Sequence, residues 1–97
     1  MSKMPEKLTK KELVKKGSTL QPTVHVGKEG LTEGIIEEVR TQVKRNKIVK
    51  VRVLPNADME IKEVGTELAE RAGVKCVETR GFTALMCEAR LFEEKSH

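Results

Sequence analysis

The stretch Thr23-Val24-His25-Val26-Gly27-Lys28-Glu29-Gly30-Leu31-Thr32 decides how this chain folds. Its first four residues are β-rich and short, and Gly27 ends them, so they read as a strand. Gln21-Pro22 in front forces extended backbone into that strand. Gly27 through Gly30 then make a tight, glycine-bracketed loop. Leu31-Thr32 open a helix, with Thr32 as N-cap and Leu31 placed to staple onto Ile36. Ile35, Ile36, Val39 and Val43 recur at helical spacing behind the cap. A strand from Lys47 to Leu54 follows. Its period of two sends Val49, Val51 and Val53 to the core and Lys50 and Arg52 to solvent.

Working outward, Thr9-Lys10-Lys11-Glu12 fits a capping box, so a short helix should run to about Lys16 with Gly17 as its stop. Pro55-Asn56-Ala57 is a turn. Asp58 is the expected N-cap of a helix through Ala72, with Ile61, Val64, Leu68 and Ala72 facing inward and Gly73 as terminator. Val74–Thr79 and Phe82–Cys87 read as two strands around an Arg80-Gly81 turn. The order is α-β-α-β-α-β-β, a single α/β domain. A strand at 47–54 that alternates is not one buried on both faces. The reading is therefore a four-stranded mixed sheet with helices packed mainly on one face. The other face stays partly polar around His25, Lys50 and Arg52. The expected division is a flexible N-terminus at 1–7, a folded domain at 8–89 and a charged tail at 90–97.

Composition narrows the function. The 97 residues are 37% hydrophobic and 35% charged, enough for one small core and little room for an enclosed active site. No apolar run reaches the ~20 residues of a membrane span, and the N-terminus does not read as a secretory signal, so the expected setting is cytoplasmic, away from membranes. With a two-residue turn, Cys76 would face Leu85 and Cys87 would face Val74, placing the thiols diagonally in poor disulfide geometry. There is no CxxC, and His25 and His97 lie far apart, so no metal or cofactor is expected. The carboxylate pairs Glu37/Glu38 and Glu93/Glu94 lie on charged segments, and nothing suggests acid–base catalysis. The expectation is a protein that is not an enzyme.

Charge points instead to a partner. The formal charge is +4, and it is segregated. Residues 1–16 are lysine-rich, residues 40–52 hold six basic residues and no acid, and residues 58–70 are acidic. Arg40, Lys44 and Lys47 fall at i, i+4 and i+7, a basic stripe. Such a pattern suits nucleic acid. With two Phe and neither Trp nor Tyr, a stacking platform spread over a sheet is not expected. The loop Gly27-Lys28-Glu29-Gly30 has a strand before it and a helix N-terminus after it. Its glycines allow close approach, and the helix behind offers free N–H groups to a phosphate, as in the GXXG loop of KH domains.

The run Gln21-Pro22-Thr23-Val24-His25-Val26-Gly27-Lys28-Glu29-Gly30-Leu31-Thr32-Glu33-Gly34-Ile35-Ile36 resembles the YhbY/CRM-domain family. Leu8-Thr9-Lys10-Lys11 and Lys47-Ile48-Val49-Lys50-Val51 fit it too, and the likeness spans roughly residues 8–89. The resemblance implies an RNA-binding module with a fold similar to the C-terminal domain of translation initiation factor 3. It implies ribosomal RNA or precursors of the large ribosomal subunit as partner, as for stand-alone bacterial members; plant members assist organellar intron splicing. It assigns RNA contact to Gly27, Lys28, Glu29 and Gly30, and the basic surface adds Lys10, Lys11, Lys44, Lys50 and Arg52. Glu29 departs from a pure phosphate clamp, and the last strand lacks the aromatic and basic ending of bacterial members. A monomer is favoured. A protein-binding adaptor and a small DNA-binding chromatin protein are the competing readings.

Overall fold

Capping residues set where the helices start. The computed structural model describes residues 7–92; the remainder of the expected N-terminal segment and tail lies outside the described residues. Helix α1 (Lys10–Gly17) begins with the expected capping box: Thr9 Oγ1 accepts from Glu12 N–H at 3.2 Å, and Glu12 Oε1 accepts from Thr9 N–H at 3.0 Å. Helix α2 (Glu33–Asn46) is capped by Thr32, whose hydroxyl accepts from Ile35 N–H at 3.2 Å. Helix α3 (Ile61–Arg71) starts later than Asp58 predicts. A turn closed by Ala57 N–H to Leu54 carbonyl occupies the chain just before Asp58. Glu60 takes the N-cap position instead, its N–H donating to Glu63 Oε1 at 3.0 Å.

The strands are β1 (Val24–Val26), β2 (Ile48–Val53), β3 (Val74–Arg80) and β4 (Thr83–Glu88), in the order β1-β2-β4-β3. β1 and β2 are parallel, joined through α2, and β4 runs antiparallel between β2 and β3. The β3–β4 hairpin differs from expectation by one residue. Arg80 pairs with Thr83, so the two-residue loop is Gly81-Phe82, with Gly81 at φ 58°. A register shift between Cys76 and Glu78 takes back only part of the slip and reverses which face the residues before it present. Cys76 consequently pairs with Met86 and packs on the helix side, while Cys87 lies in the cluster on the opposite face. The thiols are not diagonal neighbours, and both are free.

The larger core lies between the sheet and α2/α3. Val49, Val51 and Val53 meet Ile36, Val39, Val43, Val64 and Leu68 there, all buried. A second, smaller core covers the other face. Val77, Leu85 and Cys87 form an apolar patch on β3 and β4, and α1 lies on it with Leu13 fully buried. Gly17 serves this packing and is not a left-handed stop: the helix runs through it, and Ser18 caps in right-handed conformation. A Cβ on Gly17 would meet both Leu85 methyls at 2.7–2.8 Å.

Lys50 departs from its expected solvent exposure. It is on the predicted face, but half-buried, and its ammonium donates to the carbonyls of Gly17 at 2.9 Å and Leu20 at 3.2 Å. The cation thus satisfies acceptors at and just beyond the C-terminal end of α1, where a positive charge is favoured. The packed chain also continues beyond residue 89. Ala89–Leu91 form a 3-10 turn, Leu8 N–H donates to Leu91 carbonyl at 2.7 Å, and Leu91 and Phe92 pack on the second core.

Candidate nucleic-acid interface

The loop 27–30 is a closed turn. Gly30 N–H donates to Gly27 carbonyl at 2.9 Å, and Thr32 N–H donates to Gly30 carbonyl at 3.1 Å. Gly30 has φ 74°, which L side chains rarely adopt. Gly27 has no such need; a Cβ there would make ordinary contact with Leu54 Cδ1 at 3.6 Å. One glycine is demanded by conformation, and the other leaves the backbone bare. Lys28 and Glu29 are exposed between them, and α2 begins directly behind, with the unpaired N–H groups that any first helical turn carries.

Strand register extends this site across the sheet. His25 pairs with Arg52, Arg52 with Thr83, and Thr83 with Arg80. The four form one row over all four strands. Their neighbours Val26, Val53, Ala84 and Thr79 point at the helices, so the row lies on the opposite face. His25, Arg52 and Arg80 are exposed, and none of them enters an ion pair among the described residues. β1 delivers the chain from His25 into Gly27, so row and loop adjoin.

The remaining basic residues disperse. Lys44 lies in the last turn of α2, about 16 Å along the axis from the loop end of that helix. Lys10 and Lys11 are exposed in the first turn of α1, and Lys10 lies within electrostatic reach of Cys76 on β3, the edge opposite β1. The Arg40–Lys44–Lys47 stripe dissolves. Arg40 pairs with Glu37 at 2.8 Å and donates to Arg71 carbonyl at 2.9 Å, tying α2 to the end of α3. Lys47 leaves the helix at φ 75° and pairs with Glu88 at 3.5 Å. Arg80 escaped sequence reasoning because the hairpin turn, set one residue early, made it a loop residue instead of the strand partner of Thr83. His25 was legible as a polar position on the same face as Lys50 and Arg52, but not as the strand partner of Arg52.

The thiols do not add chemistry. Burial raises the pKa of both, Cys87 to about 11, so neither is an activated nucleophile. β2 lies between His25 on β1 and Cys87 on β4. Among the described residues no three His, Cys, Asp or Glu side chains gather as a metal would require, and no helix is long and apolar enough to cross a membrane.

The arrangement defines a small α/β module whose distinguishing feature is a surface: a glycine-bracketed turn between first strand and helix, continued by a basic row. The chain belongs to the CRS1/YhbY (CRM) domain family, whose model matches residues 6–86. Its fold is similar to the solution structure of the hypothetical protein SAV1595 from Staphylococcus aureus, described as an RNA-binding candidate. The TM-score is 0.69 at 24% identity, over 90% of this chain and 86% of that one. At that identity the likeness speaks for the fold. No curated protein gives a significant match.

Proposed function

We propose that this chain is a non-enzymatic, cytoplasmic RNA-binding protein that acts as a monomer on ribosomal RNA or a large-subunit precursor during ribosome assembly. The loop Gly27–Gly30 takes RNA backbone, with Lys28 neutralising phosphate. The row of His25, Arg52 and Arg80 continues the contact across the open face. Lys10, Lys11 and Lys44 add charge at greater distance, and Lys50 acts indirectly by holding α1. The observation that carries this reading is the alignment of the row with the loop, in a chain of the CRM family whose relative of similar fold is described as an RNA-binding candidate.

Crosslinking in cells with sequencing of the recovered RNA tests the partner: ribosomal or pre-ribosomal RNA is expected, and its absence refutes that assignment. The site is tested with purified protein. Lys28→Ala should lower the salt slope of RNA binding by about 0.7–0.9, one phosphate's share. Glu29→Lys should tighten binding, since the native carboxylate opposes a phosphate. If both folded variants bind like the parent, the loop is only a turn. Stronger competition by duplex DNA than by RNA would favour a DNA-binding role instead.

A further inference from the structure

Phe82 is 67% exposed at the tip of the β3–β4 hairpin, an unusual place for a phenyl ring. The tip is held: the carbonyl of Phe82 accepts from Val53 N–H at 2.8 Å. Beside the ring opens a cavity of about 350 Å³, whose apolar lining includes Leu54, Pro55, Ala57, Met59, Ile61 and Phe82. Its size suits a heteroaromatic ring system. Leu54 and Met59 are also the side chains nearest to Gly27 and Gly30, so cavity and loop share walls.

We propose that this cavity receives one unstacked base of a single-stranded RNA, stacked on Phe82. On one side of that base the RNA strand lies on the 27–30 loop; on the other it passes over the hairpin tip to the Arg52–Arg80 row on the opposite face of the sheet. The inference rests on the RNA-binding reading above and names a base subsite within it. Charge favours a base over other occupants. Lys28 lies on the loop that shares the cavity's walls, and Arg52 and Arg80, next in sequence to the lining residues Val53 and Gly81, lie on the opposite face of the sheet, so a polyanion passing over the hairpin tip meets cations on both faces. Glu60 lines the cavity itself. Its carboxylate, which also takes part in the capping box of α3, disfavours a phosphate in the cavity and keeps lone pairs for an exocyclic amino group such as adenine N6. This is a single ring at a hairpin tip and no sheet-wide platform.

The test is binding of a single-stranded oligoadenylate of about 12 nucleotides, within the range such sites cover. Phe82→Ala should weaken it about 5- to 100-fold, the loss of one stacked base, without changing the salt slope. Phe82→Trp should retain affinity, and an RNA duplex of the same length should bind parent and Phe82→Ala alike. The chain holds only two Phe and neither Trp nor Tyr, so Phe82 ring protons can be followed by NMR; oligoadenylate should move them upfield. If folded Phe82→Ala binds oligoadenylate as the parent does while Lys28→Ala is weakened, the subsite is wrong and the RNA reading stands. If the parent binds no RNA, both fall. If Phe82→Ala dissociates a dimer and leaves RNA affinity intact, the patch joins two copies of the chain and the base subsite is refuted.

Discussion

Lys50 and Arg52 sit two residues apart on the same face of β2, yet the structure gives them different work. Replacing each with Met keeps the stem and removes the charge. Lys50 makes two charge-assisted hydrogen bonds to carbonyls at and just beyond the end of α1. Bonds to charged groups contribute about 1.5–3 kcal/mol when shielded; the outer one here is exposed, so the pair is discounted. Lys50→Met should therefore cost about 1–2 kcal/mol. For urea slopes of about 1–2 kcal/mol/M, that lowers the midpoint by roughly 1 M. Arg52, exposed and in no ion pair among the described residues, should cost under about 0.5 kcal/mol. Far-UV circular dichroism in urea reads both variants. In RNA binding the order reverses: Arg52→Met should lower the salt slope by about 0.7–0.9, and Lys50→Met should leave it near the parent's value. A Lys50→Met protein with the parent's urea midpoint, or with the slope loss expected of Arg52, would falsify the assignment of its ammonium to α1.

Gly17→Ala sets helix propensity against packing. Propensity favours Ala by about 1 kcal/mol, but the added Cβ meets Leu85 at 2.7 Å and overpacking costs about 1–3 kcal/mol. Net destabilisation is expected in thermal melts, relieved by Leu85→Val; an unconditional gain would show that α1 lifts freely. Gly30→Ala should lose about 1–2 kcal/mol because its φ is 74°, whereas Gly27→Ala should be nearly neutral in stability; equal losses would contradict the turn geometry. The folded protein holds the proton on Cys87 up to about 11, against 9.0 for an unshifted thiol. This contribution to stability is complete below pH 9 and lost as pH rises toward 11. The urea midpoint should fall across that window in the parent and fall less in Cys87→Ala. Equal pH dependence in the two would show that Cys87 is not the group responsible.

Much of the fold was legible because local signals agreed with one another. The Thr9 and Thr32 caps, the alternation of β2 and the strand–loop–helix passage each occur where the residues place them. The failures were those of competing local signals or of long-range contact. Asp58 alone reads as the cap, but the turn at 54–57 stands just before it and the helix is capped two residues later, at Glu60. Gly17 looks identical in sequence whether it ends a helix or admits Leu85. The hairpin reads in sequence as turning at Arg80-Gly81, and the bulge that accompanies the observed Gly81-Phe82 turn leaves no residue signature of its own. The docking of α1 depended on Leu85 and Cys87 being covered on the second face, which needs the strand order.

Charge shows the same division between sequence and space. The acid-free run 40–52 looks like one basic surface, but folding assigns its members separately. Arg40 ties two helices, Lys47 meets Glu88, Lys50 holds α1, and Arg52 alone reaches the open face next to loop 27–30. What joins Arg52 there comes from distant segments, His25 through the parallel β1–β2 pairing and Arg80 through two antiparallel registers. A single-residue slip in the β3–β4 register would carry Arg80 out of line and leave Arg52 without its second cation. The bulge at 76–78 therefore does two things at once. It keeps Cys76 and Thr79 against α3 while Val77 stays under α1, and it brings Arg80 into the row. Residues that fix the core thereby fix the electrostatics of the surface, because both are read from one register.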